Sequence, residues 1–189
     1  MRKKPLIIGI AGGSASGKTT ICSKIAEELK HFKLKVVHMD NYFKKERPKM
    51  KSPENHKEYD DFNHPFSFHT DRLINDLNTL AESSEENLDI IIVEGLLVLY
   101  EEKIRSKLNL AIYVDVRSDE RVVRRLKRNM EHGLNFDDIS DYYLNSARYR
   151  HDEFVEPSKW QADIILNGSS HKPLGIEVIL SWIKDNIAL

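Results

Sequence analysis

The stretch Gly12-Gly13-Ser14-Ala15-Ser16-Gly17-Lys18-Thr19 fits the pattern G-x-x-x-x-G-K-[ST], and each residue type in it has a use in holding phosphate. Small residues let the backbone wrap an anion with its N–H groups turned inward. A helix starting at Gly17–Thr20 adds the positive end of its dipole. Lys18 can reach the β- and γ-phosphates, and the Thr19 hydroxyl can ligate Mg²⁺. Gly12 through Thr20 are therefore the candidate residues for ATP or another nucleoside triphosphate. The metal needs an acidic partner at the end of a neighbouring strand. Asp40 follows LKVVHM and Glu94 follows DIIIV. The carboxyl ends of the strands of an open parallel sheet form its ligand crevice, so Thr19, Asp40 and Glu94 can converge on one ion. Each carboxylate could instead only cap the turn after its strand. No D-x-x-G or N-K-x-D follows the loop, which argues against a GTPase switch.

A second cationic element is RVVRRLKRNMEH. On a helix, Arg121, Arg125 and Arg128 share one face, and Val122, Leu126 and Met130 form the adjoining apolar stripe. That face either closes over the nucleotide or is a solvated basic surface paired with Asp119, Glu120 and Glu131. No aromatic residues interleave with the arginines, as a single-stranded nucleic-acid surface would need. Tyr42 and Phe43, just after Asp40, either line an acceptor pocket or pack in the core. His38, His64, His69, His132 and His151 show no metal-ligand spacing, so no transition-metal site is expected.

These residues need a scaffold. The 189 residues suit one domain, 1–189. Charged residues make up 31% and hydrophobic ones 40%, which fits a globular chain rather than a disordered one. A net charge of −1 provides no global field for nucleic acid. Cys22 is the only cysteine, which excludes an intrachain disulfide and fits a reducing, cytoplasmic setting. No apolar run reaches transmembrane length, so no membrane partner is expected. The opening MRKKPLIIGIAGG reads as a first strand leading into the phosphate loop rather than as a signal peptide.

The expected strands are Leu6–Ala11, Leu34–Met39, LDIIIVEG, Leu110–Val116 and Ala162–Leu166. The expected helices run from the phosphate loop to about Lys30, from a Thr70 or Asp71 cap through Leu80, over roughly Asp119–Glu131 and Asp137–Phe154, and over Pro173–Ile187. Residues 40–68 have no period and hold Pro48, Pro53 and Pro65. They read as a long loop, and a loop this long in a compact domain is usually functional. Strands separated by helices imply an α/β fold, a parallel sheet with helices on both faces.

Taken in order, AGGSASGKTT, MDNYF, FNHP, VEGLL, RRLKRNMEHG and DEFVEPSK–AD resemble the uridine kinase family, within the phosphoribulokinase/uridine kinase group, over nearly the whole chain. The resemblance implies a P-loop kinase-like three-layer fold with a central five-stranded parallel sheet and a helical lid, about 118–156. It implies transfer of a γ-phosphoryl group to a small-molecule hydroxyl, typically a nucleoside 5′-OH. Asp40 then matches the general base and Glu94 the acidic residue that helps hold Mg²⁺. Arg125 and Arg128 match lid arginines, and with Lys18 they complete the catalytic set. The acceptor side would comprise Tyr42, Phe43, Asp61, Asn63, His64 and Arg148, with 40–68 as its loop. Arg150 matches no family arginine. Family uridine kinases are oligomers, so a homo-oligomer is a further expectation.

The chain departs from the family at four places. The two-strand insertion that grips the base is replaced by the short turn ESSEEN. The family's N-F-D-H-P reads DFNHP, so its ribose-binding Asp is Asn63. The Arg after the lid glycine is Leu134, and a base-contacting Gln is Tyr142. The nucleotide half is thus intact while the acceptor half is altered. This keeps nicotinamide riboside and sugar phosphates as alternative acceptors, and a non-catalytic ATP-binding regulatory module as an alternative of another class.

Overall fold

The computed structural model describes residues 4–169 and 174–187. The chain begins with β1 (Leu6–Gly12), α1 (Lys18–Glu28) and β2 (Leu34–His38). After a 3-10 turn, Met39–Tyr42, it forms a short antiparallel hairpin of β3 (Lys49–Lys51) and β4 (Glu58–Asp60). There follow α2 (Thr70–Glu82), β5 (Ile90–Glu94), α3 (Glu102–Arg105), β6 (Leu110–Asp115) and α4 (Ser118–Glu131). A helical arm comes next. It comprises α5 (Phe136–Tyr142), a π-helical segment (Tyr143–Ala147), α6 (Arg148–Arg150) and a second π-helical segment (His151–Val155). β7 (Ile164–Asn167) and α7 (Leu174–Ile187) end the described chain.

Five strands make one parallel sheet in the order β2-β5-β1-β6-β7. The central strands are apolar on both faces because both faces are covered. Alternation along β5 separates the two cores. Ile91 and Val93 join Leu73, Leu77, Phe68 and Tyr113 on the α2 side. Ile90 and Ile92 join Ile21, Ile25, Ile179 and Ile183 under α1 and α7. Leu73 and Leu77 are fully buried one helical turn apart, each burial contributing about 1.5–3 kcal/mol. This three-layer arrangement brings the carboxyl ends of β1, β2 and β5 to one edge, where Gly12, His38 and Glu94 stand.

The structure differs from the sequence reading in the connections. Residues 40–68 carry the β3–β4 hairpin and a second 3-10 turn, Pro65–Ser67, rather than irregular loop alone. Three-residue strands are too short to show a period. The second strand stops at His38, which leaves Asp40 in a turn. Neither Thr70 nor Asp71 caps α2, because the cap position is His69 and makes no side-chain bond. The expected helix 137–154 is interrupted by π-helical segments, a feature often found at functional sites. The expected helix start at Pro173 lies outside the described residues.

Candidate active site

The phosphate loop is set by backbone sterics. Gly12 has φ +150, and a Cβ there would stand 2.6 Å from the Val114 carbonyl oxygen. Gly17 precedes α1 at φ +91, a left-handed conformation that favours glycine. Gly13 leaves room for Arg121, whose Nη1 would be 2.5 Å from an added Cβ. The Ser16 N–H donates to the Gly13 carbonyl at 3.0 Å and closes the turn. Helix α1 starts at Lys18, so Thr19 and Thr20 sit in its first turn. Ala15 through Thr20 line a cleft of ≈ 710 Å³ with Arg124, Arg128, Asn167 and Gly168.

Glu94 ends β5 and is only 4% exposed. The Thr19 hydroxyl lies 3.4 Å from its Oε2 and 3.5 Å from its Oε1. His38, at the end of β2, sets Nδ1 2.7 Å from Glu94 Oε1. Among the described residues no group of three or more His, Cys, Asp or Glu could hold a metal alone. The Thr19–Glu94 oxygen pair suits a hard cation such as Mg²⁺ that takes its other ligands from phosphate and water. The Asp40 side chain is exposed and lines a second cleft. Nearby Cys22 is buried, which pushes its thiol up to about 12, with Glu94 adding to the shift.

The arginines of α4 divide into distinct roles. Arg128 donates from Nη2 to Ser14 Oγ at 3.2 Å. Arg125 lies mostly buried with its guanidinium 5.4 Å from the Tyr142 ring centre, and its Nε has no partner. Burial lowers its pKa. Arg121, expected on the same face, is turned into the protein. Its Nε donates to the Val116 carbonyl at 3.0 Å, and its Nη2 lies 2.9 Å from His151 Nε2. Arg124, which the sequence did not single out, spans the carbonyls of Ser16 at 3.5 Å and Gly168 at 3.1 Å. Glu120 Oε1 holds it at 2.5 Å. Position on the helix gave no sign of this, because both partners lie far along the chain.

The second cleft, ≈ 360 Å³, is lined by Ser14, Lys18, Asp40, Phe43, Phe62, Asn63, Leu96, Arg125 and the lid residues Leu134, Ile139 and Tyr142, among others. Of the residues expected on the acceptor side, Phe43 and Asn63 reach it. Tyr42 does not: partly buried against the α2-side core, it donates to Asp76 at 2.7 Å. Asp61 is fully buried, paired with Arg150 at 2.6 Å, and holds the Asn63 N–H. His64 caps the Pro65–Ser67 turn by accepting from the Phe66 N–H, and its ring meets Phe154 edge-on. Burial, then the Arg150 charge, lowers the His64 pKa. Arg148 points to Glu54 at 3.0 Å and to the Tyr149 hydroxyl. It is Arg150, which matches no family arginine, that pairs with Asp61 behind the wall of this cleft.

Residues 7–86 and 62–173 match the family model described as the phosphoribulokinase / uridine kinase family. A protein named uridine kinase from Anoxybacillus flavithermus is 33% identical, covering 97% of this chain and 96% of its own. One of the same name from Clostridium tetani is 35% identical, covering 99% and 98%. Among solved structures, a putative fructose transport system kinase from Silicibacter sp. TM1040 superposes with a TM-score of 0.66 at 16% identity, covering 86% of this chain and 89% of that one. At that identity the likeness concerns the fold.

Proposed function

The chain belongs to the phosphoribulokinase / uridine kinase family, and we propose that it is an ATP- and Mg²⁺-dependent kinase acting on the hydroxyl of a nucleoside-like small molecule. The first acceptors to test are uridine and cytidine, at the 5′-OH. Proteins named uridine kinase match over almost the full length, which supports this choice. The observation that carries the reading is Asp40: an exposed carboxylate in a cleft shared with Lys18 and Arg125.

In this reading Asp40 takes the proton of the acceptor hydroxyl. The hydroxyl oxygen forms a bond to the γ-phosphorus, the bond to the β,γ-bridging oxygen breaks, and ADP leaves with that electron pair. Lys18, Arg125 and Arg128 offset the charge on the transferred group, and the loop N–H groups hold the remaining phosphates. Thr19 and Glu94 would hold Mg²⁺, which when bound neutralises phosphate charge. The protein contributes positioning and electrostatics rather than covalent chemistry.

A non-catalytic ATP sensor would have no use for a base in a cleft shared with Lys18 and Arg125, and Asp40 argues against it. The acceptor is taken to be a small molecule, with no nucleic-acid or membrane partner, in a cytoplasmic setting. Among the described residues no helix is long and apolar enough to cross a membrane. Homo-oligomerisation belongs to the same proposal, and light scattering tests it. The central test is a phosphoryl-transfer assay across nucleosides, nicotinamide riboside and sugar phosphates. Tight ATP binding with no phosphorylated acceptor would overturn the proposal.

A further inference from the structure

Arg121 is a buried cation without an anion. Only 9% of it is exposed, and it forms no ion pair among the described residues. Its two hydrogen bonds go to uncharged groups, from Nε to the Val116 carbonyl at 3.0 Å and from Nη2 to His151 Nε2 at 2.9 Å. Glu156 spends its oxygens elsewhere: Oε2 stands 3.3 Å from His151 Nε2, and Oε1 pairs with Lys159. Taking a charge out of water is costly unless an opposite charge meets it.

What Arg121 does meet is the phosphate loop. A Cβ on Gly13 would stand 2.5 Å from Arg121 Nη1 and 3.0 Å from His151 Cε1. Both side chains therefore pack on the bare Gly13 backbone, and both line a small cavity with Ser14. The guanidinium can only donate. The 2.9 Å contact thus makes His151 Nε2 the acceptor and puts the ring's proton on Nδ1. That Nδ1 is buried and has no partner among the described residues. A buried polar group left unpaired asks for a reason, and the bond to Arg121 at the other ring nitrogen supplies one.

Taking the loop as the nucleotide site of the kinase reading, we propose that His151 is a positioning residue for the phosphate donor. It holds the Arg121 guanidinium against Gly13, where the polyphosphate of a bound nucleoside triphosphate becomes the missing counter-charge. A fixed cation in such a buried setting acts more strongly than one in water. The helical arm, through His151, then helps to set the affinity of the loop for nucleotide. A role in packing alone makes a different forecast, because any side chain of similar volume would serve.

The test measures the dissociation constant of ATP with Mg²⁺ by calorimetry, on the full chain and two variants. His151→Leu fills much of the same space and removes the acceptor. It is expected to weaken ATP binding tenfold or more. His151→Gln keeps an oxygen that can accept from Arg121, and should bind ATP within threefold of the wild type. A loss below tenfold in His151→Leu overturns the inference and leaves the kinase reading intact. So does a His151→Gln protein that binds as weakly as His151→Leu, since the bond would then not be what matters. A wild-type protein that binds no ATP overturns the nucleotide reading and this inference with it. Should His151→Leu fail to fold, NMR of the wild-type protein decides. Saturating ATP should move the Arg121 Nε–H resonance, and an unmoved resonance overturns the inference.

Discussion

Arg150 Nε lies 2.6 Å from Asp61 Oδ2, while Asp61 Oδ1 accepts the backbone N–H of Asn63 at 3.1 Å. The carboxylate is wholly buried, and its partner's side chain is 18% exposed. The Asp61 carbonyl also accepts from the Ser67 hydroxyl, and its N–H donates to the Pro48 carbonyl at 2.9 Å. Asp61 therefore ties the hairpin, the Pro65 turn and the helical arm together, and leaves Asn63 facing the cleft. In the order DFNHP the aspartate is a tie and the asparagine lines the cleft.

The two residues should separate cleanly on substitution. Asp61→Ala removes the buried carboxylate that ties Arg150, the Asn63 N–H and the arm together, while Arg150 keeps Glu153 at 2.5 Å, so the loss should be about 1–3 kcal/mol, that of buried polar groups left unpaired. Asn63→Ala removes no ion pair and should leave the urea midpoint nearly unchanged while raising acceptor KM. Chemical denaturation alongside steady-state kinetics checks both. A stable Asp61→Ala protein with a raised acceptor KM would restore Asp61 as the contact.

Asp40→Asn keeps the shape of the turn and removes the proposed base. A positioned general base contributes about 10²–10⁴ in rate, so kcat should fall within that range while the KM for ATP stays within threefold. Wild-type turnover by this variant would remove Asp40 from the proton transfer.

Much of the nucleotide half was legible in the sequence. Lys18 and Thr19 sit in a motif whose spacing is local, and Glu94 closes a short apolar run that reads as a buried strand. The phosphate loop's dependence on Arg124 and Gly168 was not legible. The two carbonyls that Arg124 reaches, those of Ser16 and Gly168, lie 108 and 44 residues from it in the chain, and only the fold brings them together. The acceptor side was harder for the same reason: Arg150 and Asp61 are 89 residues apart. Tyr42 and Phe43 are neighbours of equal aromatic character. Both pack against the α2-side core, and only the 3-10 turn determines that Phe43 also lines the cleft while the Tyr42 hydroxyl turns to Asp76.

Gly168 offers a direct test of that long-range support. A Cβ there would stand 2.5 Å from the Ser16 carbonyl oxygen and 2.7 Å from Val114 Cγ1. The first of these is backbone, so the phosphate loop or the 167–168 turn must give way. Gly168→Ala should cost about 1–3 kcal/mol, as overpacking generally does, and raise the KM for ATP more than that of the acceptor. Arg124→Ala should raise the KM for ATP without the packing loss. Unchanged nucleotide kinetics in both variants would mean that this turn does not support the loop.

Two partly buried histidines predict an acid-side loss of stability. His151 is held below its ordinary value of 6.5 by burial first and by the Arg121 guanidinium second, against the opposing pull of Glu156 and Asp152. His64 is lowered by burial and then by Arg150, against Asp61 and Glu153. Both are neutral in the fold, with Arg121 donating toward His151 Nε2 and the Phe66 N–H donating to His64 Nδ1. The unfolded chain takes up these protons near its ordinary value, while the folded chain resists until a lower pH. Stability is therefore complete above 6.5 and falls as pH drops from there toward the folded values. Urea midpoints at pH 7.5 and 5.5 should show the protein weaker at the lower pH. In His151→Gln the difference between the two midpoints should shrink. A wild-type midpoint equal or higher at pH 5.5 would mean that the folded protein accommodates both charges, contrary to the burial and cationic neighbours of these rings.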